Sequence, residues 1–203
     1  MRDLVVAAGV MVCLAAGSSP ASGQAGDQRF DLGMHVASTT SGPFDDTDVG
    51  VGGRVAWHAL PLVGIEAEFT FYPADFPGGR AFSRRRLEGL FGVTVGPTFG
   101  PLRPFARFRP GFLDIAEAPG PFPCILIYPP PLNCALAAGG TLAAFDLGGG
   151  VEVAATRGLF VRVDAGDRMV RYRGPVFAPG GQRRDDAFYG HDFRLTVGAG
   201  LRF

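Results

Sequence analysis

Charged residues in this chain recur at every second position between apolar neighbours, and that spacing limits the chemistry they can do. Glu66, Glu68, Arg86, Glu88, Arg103, Arg107, Arg109, Asp146, Glu152, Arg162, Asp164, Arg168, Arg194 and Arg202, together with Arg54 and His58, all fall on the polar phase of such alternations. A period of two is the repeat of a strand, whose successive side chains point to opposite faces. Charges shut inside a sheet are costly unless paired and hydrogen-bonded. Arginine, with its rigid planar fork, is the cation suited to bidentate pairing with carboxylates. The chain has 19 basic and 19 acidic residues and a formal net charge of zero, and every Lys-or-Arg position is arginine. The expected chemistry is therefore an ion-pair network that fills an interior; a narrow ion path through rearranging pairs is the alternative. Charge balance also removes the electrostatic case for nucleic acid as a partner.

Other reactive groups are sparse. Cys124 and Cys134 share one Pro-rich segment that holds no histidine, so a loop disulfide is expected in preference to zinc. Closing so short a loop would stabilise the fold by about 2–3 kcal/mol. His58 and His191 have no serine close in sequence, and Ser83 falls in a loop. Gly148-Gly149-Gly150 sits in a strand, not at the strand-to-helix turn of a phosphate-binding loop. No metal-ligand spacing occurs, and neither catalysis nor a cofactor is expected.

The elements that must position these groups are strands. The last segment shows the pattern best: Phe193, Leu195, Val197, Ala199, Leu201 and Phe203 alternate with Asp192, Arg194, Thr196, Gly198, Gly200 and Arg202. Seven earlier segments repeat it, running over 30–37, 49–58, 63–71, 86–95, 103–112, 145–153 and 159–168. Short turns are expected near Leu60-Pro61-Leu62, from Pro97 to Leu102 and at Thr156-Arg157-Gly158, and long loops at Thr39–Asp48, Pro73–Arg84, Ile115–Gly140 and Arg173–Gly190. Strict alternation of short and long connections over an even number of strands predicts an all-β fold, an eight-stranded antiparallel up-and-down transmembrane β-barrel. A soluble sandwich also alternates, and a soluble ligand-binding barrel would put its apolar side chains inward. Arginine, carboxylate and glycine interleaved on one face instead suit a crowded interior, which eight strands make just wide enough to be filled by side chains.

Tyr72, Phe71, Trp57, Tyr172 and Phe203 fall near strand ends, where an aromatic girdle would meet lipid headgroups. The stretch from Pro121 to Pro131 is apolar for an exposed loop, which suggests either an extracellular partner or a fold over the barrel mouth. At the start of the chain, Arg2, an apolar run from Leu4 to Ala16, and small residues up to Ala25 form a secretory signal peptide. The run is shorter than the roughly 20 residues a spanning helix needs. Cleavage at 23–25 would leave one domain of residues 26–203.

The C-terminus carries a specific likeness. Thr196-x-Gly198-x-x-Leu201-x-Phe203 resembles the signal by which the barrel-assembly machinery recognises outer-membrane proteins. The whole mature length looks like the eight-stranded barrel domain shared by OmpA-like and OmpX-like proteins, and Arg103-Pro104-Phe105-Ala106 and Arg162-Val163-Asp164-Ala165-Gly166-Asp167 are similar to strand starts in that group. The resemblance implies a monomer in outer-membrane lipid, assembled by that machinery, with a structural or surface-interaction role. The peptidoglycan-gripping domain of OmpA-type proteins has no counterpart here, so peptidoglycan anchoring is not expected. The His-x-Ser-Asn string of outer-membrane lipid A deacylases is also missing, which leaves a lipid-modifying enzyme as the lesser alternative.

Overall fold

The computed structural model describes residues 29–73, 85–117 and 127–203. The expected signal peptide, residues 1–25, and Cys124 lie outside them. Eight long strands account for most of what is described: β1 (Phe30–Ser41), β2 (Asp46–Leu60), β3 (Val63–Tyr72), β4 (Arg86–Val95), β5 (Leu102–Ile115), β6 (Gly140–Ala154), β7 (Leu159–Tyr172) and β10 (Phe188–Arg202). Each pairs antiparallel with its neighbour in sequence, and β10 returns to β1, so the sheet closes into a barrel. Phe30 and Phe203 exchange backbone hydrogen bonds of 2.9 Å at the seam. Closure removes the free edge that an open sheet of this length would expose.

Alternation decides which residues face in. Along β1, Asp31, Gly33, His35, Ala37, Thr39 and Ser41 are buried, whereas Leu32, Met34 and Val36 are exposed, Met34 by 74%. The same inversion holds on β10, where Phe193, Leu195, Val197 and Leu201 look out and Asp192, Arg194 and Thr196 look in. A soluble ligand-binding barrel would have the reverse arrangement and is ruled out. Glycines on the inner face leave room for larger neighbours. A Cβ at Gly52 would come 2.7 Å from the His35 ring and 2.0 Å from the Phe69 carbonyl oxygen, and one at Gly50 would come 2.7 Å from the Tyr72 ring.

The connections differ from the sequence reading at the long-loop end. Thr39–Asp48 is not a long loop. β1 and β2 continue through it in register, with Thr40 opposite Thr47 and Ser41 opposite Asp46, and only residues 42–45 turn. The Ser38-Thr39-Thr40-Ser41 run is polar on both faces, so it shows no alternation, yet its Thr40 and Thr47 hydroxyls pair across the strands at 2.8 Å. Arg173–Gly190 likewise holds a small two-stranded ribbon, β8 (Val176–Phe177) with β9 (Arg183–Arg184), and β10 begins at Phe188. Within Ile115–Gly140, a single helical turn α1 (Leu132–Ala135) runs into a 3-10 turn over Leu136–Ala138. Among the described residues no helix is long and apolar enough to cross a membrane.

Candidate functional site

The interior is the one place where most of the ionisable side chains converge. Nine arginines (Arg54, Arg86, Arg103, Arg107, Arg109, Arg162, Arg168, Arg194, Arg202) share it with nine carboxylates (Asp31, Asp48, Glu66, Glu68, Glu88, Asp146, Glu152, Asp164, Asp192). The strand parity that puts them there is uniform. Glu66, Glu68, Thr70 and Tyr72 come from one phase of β3, and Arg103, Arg107 and Arg109 from one phase of β5.

At mid-height, Glu66 accepts from three arginines on three strands: Arg54 at 3.2 Å, Arg109 at 3.2 Å and Arg162 at 2.9 Å. Glu68 accepts from Arg109 at 2.8 Å and Arg194 at 2.5 Å. Asp146 takes Arg107 Nε at 2.6 Å and Arg109 Nη2 at 2.8 Å, and Asp164 joins Arg107 to Arg162. Each carboxylate thus bridges at least two guanidinium groups, so the charges form a web and not a set of separate pairs. Nearer the long loops, Arg168 spans Glu88 at 2.6 Å and Asp192 at 2.7 Å, and Arg86 pairs with Asp48. At the short-turn end Asp31 holds Arg202 at 2.8 Å and His58 at 2.7 Å, and Glu152 also contacts Arg202. Aromatic faces complete the packing: Arg162 lies 4.0 Å from the Phe105 ring centroid, and Arg54 and Arg202 lie over Phe160 at 5.4 and 5.2 Å. A cation over a ring face gains from the ring quadrupole, more so when desolvated.

Beside the long-loop part of this web the interior changes character, with Leu90 opposite Glu68, Leu113 opposite Glu88 and Ile115 opposite Arg86. Leu90, Leu113, Ile115, Leu142, Ala144, Val170 and Tyr172, all on inward positions of their strands, form an apolar cluster with Leu132 and Leu136 of the α1 segment and Val176 of β8. Loop elements therefore sit on the barrel mouth and bury side chains in it. A cavity of only about 10 Å³ interrupts the charged zone, between His35, Arg54, Glu68, Arg162, Asp164 and Thr196. That is space for about one water.

The charge network read from the sequence omits several interior members, although Asp31, His35, Thr70, Thr94 and Asp192 stand on the polar phase of its strands. Asp31, Asp48, His35 and Asp192 are inward and engaged, and Thr39, Thr70, Thr94, Phe105 and Phe160 are buried beside them. Tyr72 and Tyr172 do not join an aromatic girdle. They are 1% and 3% exposed and face inward, because each shares the parity of the charged residues on its own strand. The Tyr72 hydroxyl lies 3.0 Å from that of Thr39, and its ring lies under Arg86 and Arg168. Trp57, Phe71 and Phe203 face outward. Of the C-terminal residues, Thr196 and Gly198 turn inward, while Leu201 and Phe203 are exposed on the outer face.

The histidines are engaged with groups other than serine: His35 with Thr70 at 2.9 Å, His58 with Asp31, and His191 with Asp167 at 2.7 Å on the outside of the barrel. Among the described residues no cluster of His, Cys, Asp or Glu could hold a metal ion. Cys134 lies on α1 and is not free, while Cys124 falls outside the described residues.

A closed antiparallel barrel with apolar side chains outside and charges inside is the inverse of a water-soluble domain. Its backbone groups are satisfied within the sheet, as a bilayer requires, and its outer belt replaces water with lipid. The chain has the fold of a small outer-membrane β-barrel. Neisserial surface protein A shares that fold, with a TM-score of 0.53 at 12% identity over 86% of this chain and 97% of that one. The N-terminal barrel domain of Pseudomonas aeruginosa OprF gives 0.49 at 11% identity over 85% and 97%, and the outer membrane protein AlkL gives 0.47 at 13% over 92% and 96%. No protein-family model and no curated protein matches the chain by sequence. At such identities only the fold carries over, so the role of this barrel has to be argued from its own interior and loops.

Proposed function

We infer that this barrel is a non-conducting scaffold of the outer membrane, which holds its loop end at the cell surface as a structural or partner-binding platform. The observation that carries the reading is the double closure of the lumen. A balanced arginine–carboxylate web fills most of its height, and an apolar cap formed partly by loop residues covers it. An ion path would need a continuous wet channel, whereas the cavity within the charged zone has room for about one water. We assign the barrel no catalytic role; its histidines bond to Thr70, Asp31 and Asp167 and none to a serine. Ile127 and Tyr128, 46% and 81% exposed beside the cap, give the loop end an apolar surface on which an extracellular partner could dock.

The same reading includes export by the leader at residues 1–25, a Cys124–Cys134 disulfide that tightens the surface loop, monomeric insertion, and recognition of Thr196, Gly198, Leu201 and Phe203 by the barrel-assembly machinery. Liposome swelling with small sugars tests the scaffold role: purified barrel is expected to leave swelling at the protein-free rate, and sugar-dependent swelling would replace the scaffold with a pore. Phe203→Ala tests the assembly signal. Export is expected to continue while heat-shifted gel mobility, the mark of a folded barrel, is lost; normal surface levels would remove the role assigned to that residue.

A further inference from the structure

The short-turn end of the lumen is open where the long-loop end is capped. A mouth of about 570 Å³ is lined there by Arg29, His58, Thr98, Arg103, Arg202 and the Ala59–Pro61 turn. The up-and-down topology of outer-membrane barrels turns this end to the periplasm. Its charges are uneven. Asp31 is already bonded to Arg202 and His58, and Glu152 contacts Arg202; Arg103 has both carboxylates as charged neighbours but makes no hydrogen bond or ion pair with either. Arg103 is 5% exposed, and its Nη2 makes no hydrogen bond. A buried guanidinium N–H without an acceptor is costly, so a site of this kind selects for a group that supplies one.

We propose that this mouth binds a phosphate group, with Arg103 as its central donor and Arg29 and Arg202 at its rim. A tetrahedral oxyanion can accept from guanidinium groups arriving from separate directions, and planar forks suit it. The internal competitor is Glu152, which lies opposite Arg103 in the β5–β6 register and has its own Oε2 without a partner. Direct Arg103–Glu152 pairing would fill the need without a ligand. The phosphate could come from solution or from the headgroup of a phospholipid in the periplasmic leaflet.

Calorimetric titration of the folded barrel with inorganic phosphate, in dodecyl maltoside micelles free of phospholipid, decides between ligand and internal pairing. Saturable binding is expected, weakened at least about tenfold in Arg103→Gln and unchanged in Arg183→Gln on the exposed β8–β9 ribbon. Should Arg103→Gln lose its heat-shifted mobility, Arg29→Gln replaces it, since that residue precedes β1, and it is expected to weaken binding about threefold. Repeating the titration in phosphatidylglycerol nanodiscs identifies the source. A lower apparent affinity for added phosphate means that the lipid headgroup occupies the site, and an unchanged affinity means that solution phosphate does. Absence of saturable binding in micelles, or equal binding by wild type and by the folded variant used, overturns the proposal.

Discussion

Two regions of the lumen are filled by opposite chemistries. Through most of its height, beyond the open short-turn mouth, the barrel is filled by arginines and carboxylates that must meet at particular atoms. Toward the long loops, opposite Glu88 and Arg86, part of it is filled by leucine, isoleucine, valine and alanine that need only exclude water and fit. The first kind of filling has a large cost for a missing partner and little net gain over an apolar core. The second gains roughly 25 cal/mol for every Å² of apolar surface removed from water and loses stability in proportion to any cavity. The charged zone therefore defines geometry across all eight strands, whereas the cap ties the α1 and β8 segments to the mouth.

The sharpest way to break this contrast is to remove one member of the web. Glu66→Ala strips a shared acceptor from Arg54, Arg109 and Arg162; Arg109 keeps Glu68 and Asp146 and Arg162 keeps Asp164, but Arg54 is left a buried cation without its carboxylate. A loss of about 3–5 kcal/mol is expected in urea unfolding from micelles, enough to reduce the folded, heat-shifted band. A loss below about 1 kcal/mol would mean that water reaches the web freely.

In the cap, Leu90→Ala or Leu113→Ala deletes volume from side chains that are 0% and 2% exposed. Each should lower stability by about 2–4 kcal/mol while the barrel still folds and stays sealed, since the ion pairs beside it are untouched. Leakage of sugars through Leu90→Ala would show that the cap alone closes the lumen. The double variant Glu68→Met, Arg194→Met replaces a buried pair by apolar groups and is expected to change stability by less than about 2 kcal/mol, well under the cost of Glu68→Ala alone. Equal costs for the double and the single variant would refute the idea that the penalty lies in the orphaned charge. The smallest effect belongs to Arg183→Ala. The Arg183–Asp185 pair is more than half exposed on both sides, and its loss should cost about 0–1 kcal/mol by the same unfolding assay.

The contrast also explains what could be read in the sequence. The charged half is legible because polar and apolar residues alternate there: Glu66 and Glu68 stand out between Ile65, Ala67 and Phe69. In the cap the inner face turns apolar as well. Leu113 and Ile115 on β5, or Leu142 and Ala144 on β6, then look like a break in the pattern although the strand simply continues. The Ser38–Ser41 run fails in the opposite way, polar on both faces above the lipid belt, so the β1–β2 hairpin is mistaken for a loop. Tyr72 and Tyr172 were misplaced by residue type, since aromatics near strand ends suggest a girdle, while parity alone puts both among the charges. Nor can a linear pattern show which arginine meets which carboxylate. The Arg162–Glu66 bond joins residues far apart in the chain and appears only once the barrel closes.

Planar-bilayer recording of the purified wild-type barrel tests the sealed lumen most directly. The account predicts a silent membrane at moderate voltages of either sign, with insertion shown independently by protease protection of the embedded strands. Stable, reproducible conductance steps from the inserted wild-type protein would contradict it, because they would require a continuous path past the web and the cap.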